Sequence, residues 1–278
     1  MVATLRRAAV AGSWYPGSAD AIRAEVDGYL KAAGDADVPG RLVALLSPHA
    51  GLRYSGPVAA HGYALLRGRS PLTAVLVGPS HREAFDGIAV YGHGAWETPL
   101  GRVPIDERLA EALIARDGSF FDDAIVHREE HSLEMQLPFL QKLVEDLHIV
   151  PAMMGTQSRD QVERAAEAIA AAVAGRDDVI LVASSDLSHY ETAAVANVLD
   201  AVAVEQIGRF EADALMDRLE RHQNVACGGG PLVAVMKAAR ALGADRATVL
   251  RYADSGDVPP GDKDHVVGYL SAALTASR

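Results

Sequence analysis

Two kinds of hydrophobic pattern alternate along the chain. Between residues 19 and 33, Ala21, Ile22, Val26, Tyr29 and Leu30 fall at helical spacing, which predicts an amphipathic helix. Residues 41–47, Arg-Leu-Val-Ala-Leu-Leu-Ser, are instead a continuous apolar run, the pattern of a strand buried on both faces. That run ends at Pro48-His49-Ala50-Gly51. The design returns at Ala74-Val-Leu-Val-Gly-Pro79-Ser80-His81 and at Val179-Ile-Leu-Val-Ala-Ser184-Ser185-Asp186-Leu187-Ser188-His189. Each run is apolar and partly β-branched, then breaks into small or turn-forming residues that end in a histidine.

Further helices are expected at 56–67, 106–116, 131–146, 159–174 and 231–242, the third kinked or divided by Pro138. Further strands are expected at 87–91, 148–154, 247–252 and 265–270. This alternation predicts a three-layer α/β/α sandwich around a mostly parallel or mixed sheet. In such sheets ligands bind beyond the carboxyl ends of the strands, which is where His49, His81 and His189 fall.

Composition narrows the picture. The 278 residues are 49% hydrophobic and 23% charged, without a Pro/Ser/Gly-rich linker, so a single domain over 1–278 is expected. A formal charge of −11 argues against nucleic acid as a partner. A single cysteine excludes an internal disulfide and points to the cytoplasm. Arg6-Arg7 and the apolar residues after them resemble a basic targeting segment, but Trp14-Tyr15-Pro16-Gly17 interrupts it. No window approaches the roughly 20 apolar residues that span a bilayer, so no membrane partner is expected.

Three histidines at the ends of three buried strands converge in space, and neutral imidazole is a common ligand for iron, copper and zinc. Cys227 stands in Asn224-Val-Ala-Cys227-Gly228-Gly229-Gly230-Pro231, just before a helical pattern. There it is either a thiol activated by helix N-terminal amides or a small packed residue beside a flexible loop. Asp186 lies three residues before His189, a pair suited to acid–base work, to capping a turn, or to both. His131 and Glu134, in Glu130-His131-Ser132-Leu133-Glu134, are read as supporting the site or capping a helix from one helical face. No Walker A loop, Gly-x-Ser-x-Gly elbow or dinucleotide-binding Gly-x-Gly-x-x-Gly is present.

Several of these segments, in order, resemble the Memo family (mediator of ErbB2-driven cell motility), whose prokaryotic members are called AmmeMemoRadiSam system protein B. The matching pieces are Arg7-Ala-Ala-Val-Ala-Gly-Ser-Trp14-Tyr15-Pro16, Ser47-Pro48-His49-Ala50-Gly51 with Tyr54-Ser55-Gly56, and Gly78-Pro79-Ser80-His81. Glu130-His131-Ser132-Leu133-Glu134, Ser184 to Tyr190, Cys227-Gly228 and Asp264 to Tyr269 continue the match. The resemblance implies a fold similar to class III extradiol dioxygenases, with His49, His81 and Cys227 holding a single metal ion, Fe(II), copper or zinc. It also implies that Asp186 and His189 line the same pocket, with His189 as the acid–base group, and that Trp14 and Tyr54 border it for a small-molecule or peptide ligand. The related dioxygenases use two histidines and a carboxylate; a cysteine in the third position departs from that set and favours softer metals. The activity so implied is a metal-dependent redox or oxygen-using enzyme. The alternatives are a binding or adaptor protein without turnover and a cysteine-nucleophile hydrolase.

Overall fold

The computed structural model describes residues 4–35, 37–222 and 224–277. The chain begins with β1 (Leu5–Arg6), α1 (Ala19–Ala33), β2 (Arg41–Ser47), α2 (Leu52–Tyr63) and β3 (Leu72–Pro79). Next come β4 (Ile88–Val90), β5 (Ala95–Thr98), β6 (Gly101–Pro104), α3 (Glu107–Ile114), β7 (Phe120–Asp122), α4 (Leu137–Leu143) and β8 (Leu147–Met154). The last third holds α5 (Arg159–Val173), β9 (Val179–Ser184), β10 (His189–Glu191), α6 (Ala193–Gly208), α7 (Ala212–Arg221), α8 (Gly229–Ala241), β11 (Arg246–Asp254) and β12 (Val266–Ala276). No helix among the described residues is long and apolar enough to cross a membrane.

Nine strands form one mixed sheet in the order β10-β12-β2-β9-β3-β8-β4-β7, with β11 also paired to β12. Its centre, β2, β9, β3 and β8, is parallel. Strands β12 and β4 join that centre antiparallel on either side. Helices α1, α2 and α4 pack together as one layer, while α3, α5, α7 and α8 pack together as the other, with α6 over β11 and β12. Coverage on both faces is why β3 and β9 are buried along their whole length and carry largely apolar sequence. Ser47 of β2 pairs beside Ser184 of β9, so the loops after these strands leave the sheet at the same level. The strand-end residues are thereby brought together.

Local signals account for the individual helices. Ser18 caps α1, accepting from the backbone N–H of Ala21, and Ile22, Val26 and Leu30 form its buried stripe. Each such side chain contributes on the order of 1.5–3 kcal/mol by leaving water. Pro138 does not kink a long helix. It sits in the first turn of α4, where its missing N–H has no intrahelical acceptor to lose, and residues 134–136 before it form a 3-10 turn. His131 and Glu134 therefore do not share a helical face. The pattern also concealed α6 and α7, as well as a small second sheet of β1, β5 and β6.

That second sheet lies beside a buried ion pair. Arg6, in β1, places Nη1 2.6 Å from Oε2 of Glu134, both side chains being almost completely buried. The rest of the guanidinium donates to the carbonyls of His127 and Glu130 and lies over the ring of Trp96. The remaining capacity of Glu134 is filled by the N–H groups of Ala9 and Val10 and the hydroxyl of Tyr15. With both Glu134 oxygens doubly engaged and all three Arg6 nitrogens hydrogen-bonded, the pair offsets its desolvation; removing one partner leaves an uncompensated charge. Arg6→Met is expected to unfold in urea with about 3–5 kcal/mol less stability than the parent. Unchanged stability would show that the pair does not hold the N-terminal segment.

Candidate metal centre

The loops after β2, β3 and β9 and the loop before α8 surround a cavity of about 650 Å³. His49, His81, Cys227, Asp186, His189, Trp14 and Tyr54 all line it, as does His131. One ring nitrogen from each of His49, His81 and His131 lies within 4.8 Å of the others. The sulfur of Cys227 is 3.2 Å from Nε2 of His49. Glu134 does not reach the cavity and is turned instead to Arg6. The segment 130–134 thus divides, with His131 facing the metal-type cluster and Glu134 anchoring the chain behind it.

Hydrogen bonds fix which nitrogen each ring presents. The hydroxyl of Ser184 donates its one proton to the carbonyl of Ser132 at 2.6 Å and accepts from Nε2 of Gln136 at 2.8 Å. Nδ1 of His49, 2.8 Å from the same oxygen, must therefore be the donor, which leaves the lone pair on Nε2. His81 is set by Glu130, whose Oε1 lies 3.0 Å from Nδ1 and whose Oε2 accepts from the His81 backbone N–H at 2.6 Å. An ionised carboxylate only accepts, so Nδ1 of His81 carries the proton and Nε2 is bare in the neutral ring. His131 stacks on Trp14, with ring centroids 4.1 Å apart. Its buried Nδ1 lies 3.2 Å from Oε1 of Glu130 at an angle that makes no hydrogen bond.

The electrostatics keep His49 and His131 uncharged. Burial, reinforced by the neighbouring His81 and His131, holds His49 well below the ordinary histidine range. Burial brings His131 down to about 4, against the opposing pull of Glu130. For Glu130 burial favours the neutral acid, but the hydrogen bonds and charge of His81 outweigh it and hold the carboxyl well below the usual range. Asp186 is pushed up to about 7 by burial, against the N–H groups of His49 and Ala50 that its Oδ1 accepts. His189 is lowered by burial, and its Nδ1 donates to the carbonyl of Leu187 at 2.7 Å, which leaves Nε2 bare. The backbone of His189 is clamped at both N–H and C=O by the Asn224 amide.

Cys227 sits at the tip of the loop entering α8, accepting from the N–H of Asp186 at 3.3 Å. Gly228 lets this loop approach closely, because a Cβ there would run into the carbonyl of Ser184. Helix N-terminal amides alone would favour the thiolate, one of the two readings the sequence leaves open. Burial, together with the charge of Asp186, wins and pushes the thiol up to about 12. Lewis-acidic binding is the natural way to deprotonate such a group, and the converging bare imidazole nitrogens suit a metal ion. Sequence reasoning did not single out Glu130, Ser184, Gln136 or Asn224. For Glu130 the available signal was its place directly before His131; the other three are joined to the site by contacts distant in sequence.

Comparisons agree with this architecture. Residues 6–273 match the family described as Memo-like protein. A MEMO1 family protein of Methanothermobacter thermautotrophicus is 37% identical over 277 residues, covering 95% of this chain and 98% of the relative. MEMO1 family proteins of Methanosarcina mazei and Thermotoga maritima are 38% and 36% identical, covering 96% and 97% of this chain and 98% and 99% of those proteins. In metal-free protein, alkylation of Cys227 is expected to be slow at neutral pH and to accelerate about tenfold per unit across about pH 8 to 11, tracking the thiolate fraction. A rate that levels off near pH 7 would instead reveal an activated nucleophile and sink the raised thiol pKa.

Proposed function

The chain belongs to the Memo family, and from the chemistry of its pocket we propose that it is a metal-dependent oxidoreductase working with one Fe(II) or copper ion on a small-molecule or peptide ligand. The ligands in this reading are Nε2 of His49, Nε2 of His81 and the sulfur of Cys227, with His131 as a further nitrogen donor at the same point. The observation that carries it is the convergence, within 4.8 Å, of three imidazole nitrogens, two of which have their lone pairs freed by hydrogen bonds on the far side of the ring. Imidazole suits iron, copper and zinc alike, and thiolate shifts the preference toward copper(I) and zinc. When bound, iron or copper supplies Lewis acidity and one-electron chemistry.

The remaining roles fall to the chain itself. His189 presents a bare Nε2 to the cavity and takes a proton from the bound ligand. Asp186, with a pKa near 7, holds the backbone of His49 in place and shares protons with the pocket near neutrality. Trp14 and Tyr54 form apolar walls that orient the ligand and exclude water. A free-thiol hydrolase is disfavoured, since the Cys227 thiol stays protonated at neutral pH.

Metal analysis of tag-free protein tests the reading. The parent is expected to hold a single ion per chain, and His49→Ala and His81→Ala are expected to lose it. Cys227→Ser and His131→Ala, compared side by side, show which of the two completes the set. Glu130→Gln is expected to weaken affinity about 10–100-fold by loosening His81. Parent stoichiometry in His49→Ala would overturn the assignment.

A further inference from the structure

We infer that Asp200, braced by Tyr252, is the positioning residue of His189 and acts on it through the peptide unit between Leu187 and Ser188. The assignment rests on the reading of His189 as the proton-accepting group of the pocket.

Asp200 lies in α6, outside the cavity, and is only 1% exposed. Its Oδ1 accepts from the backbone N–H of Ser188 at 3.0 Å, and its Oδ2 accepts from the hydroxyl of Tyr252, in β11, at 2.8 Å. No arginine or lysine pairs with it among the described residues. Buried carboxylates are costly, so one without a cationic partner among the described residues calls for an account.

The account lies in the peptide unit it grips. The N–H of Ser188 and the C=O of Leu187 belong to one planar amide and point in opposite directions. That C=O accepts Nδ1–H of His189 at 2.7 Å. A continuous series therefore runs from the Tyr252 hydroxyl to the Asp200 carboxylate, across the 187–188 amide, to the imidazole. Hydrogen bonds arranged in series polarise one another, so charge at one end strengthens the acceptor at the other. The effect is that of a carboxylate orienting a histidine, with one amide inserted between them.

Neighbouring contacts keep the amide from turning away. Leu187 N–H donates to the carbonyl of Gly268, and Gly268 N–H donates to the carbonyl of Ser188, so both flanking residues are tied to β12. Gly268 itself must be glycine, because a Cβ there would occupy the space of the Asp200 carboxylate. Asp186, the nearer carboxylate in sequence, is committed elsewhere, to the N–H groups of His49 and Ala50. It does not hydrogen-bond His189.

The test is a long-range proton–nitrogen correlation spectrum of metal-free protein labelled with ¹⁵N-histidine, in which the His189 signals are identified by their loss in His189→Gln. The parent is expected to show a single tautomer, protonated on Nδ1. Asp200→Ala is expected to populate both tautomers comparably. Asp200→Asn keeps an acceptor for the Ser188 amide without the charge, so the single tautomer is expected to persist with the Nδ1 proton resonance moved upfield. If Asp200→Ala fails to fold, the Asp200→Asn shift decides alone. An unmoved Nδ1 proton, or a single unchanged tautomer in folded Asp200→Ala, would overturn the inference. Metal stoichiometry, measured on the same variants, is expected to match the parent, so a failed spectral test with intact metal binding leaves the proposed function standing.

Discussion

The structure depends on one buried ion pair that does not itself touch the pocket. Arg6 and Glu134 join the first strand to the irregular stretch before α4, Arg6 spending its other bonds on backbone carbonyls and Glu134 on the N–H groups of Ala9 and Val10 and the Tyr15 hydroxyl. Because Arg6 accepts no compromise in direction, the carbonyls of His127 and Glu130 are fixed, and with them the positions of Glu130 and His131. Because Glu134 also gathers Ala9, Val10 and Tyr15, the N-terminal segment folds over the same stretch and delivers Trp14 onto His131. The sheet supplies His49 and His81 at its strand ends. The ion pair supplies the opposite wall.

Within that frame the proton inventory of the pocket is settled by groups behind each ring. Ser184, Glu130 and the carbonyl of Leu187 each take an Nδ1–H, and so His49, His81 and His189 all turn a bare Nε2 forward. Arginine and lysine are missing from the cavity lining among the described residues. Such a pocket offers electron pairs and little positive charge, a poor host for an anion and a good one for a cation. The thiol of Cys227 completes the pattern, for it stays protonated until something positive arrives.

Much of this was legible in the sequence because it depended on short-range regularities. The stripe of Ile22, Val26 and Leu30 gave α1, the run at 41–47 gave β2, and the histidines placed just past such runs, His49, His81 and His189, line one cavity. What stayed hidden followed from contacts distant in sequence. In α6, Val195 and Val198 are exposed while Asp200 is buried, so apolar residues surround the helix and no stripe marks it. The segment 131–146 looks helical throughout, yet Glu134 is claimed by Arg6, 128 residues away, and Pro138 falls where a helix can begin. His131, read as supporting the site, has a ring nitrogen within 4.8 Å of those of His49 and His81.

The same long-range bonds explain why carboxylates crowd around the cluster of imidazoles without joining it. Glu130 receives the backbone N–H groups of His81, His131 and Ser132; Asp186 receives those of His49 and Ala50; Asp200 receives that of Ser188. Each of the three carboxylates therefore grips main chain at or next to a histidine of the pocket. The backbone that carries the imidazoles is fixed by the acids, although Asp186, held through Oδ1 alone, also lines the cavity. The acidic residues nearby thus serve as supports, holding the imidazoles in place through the main chain that carries them.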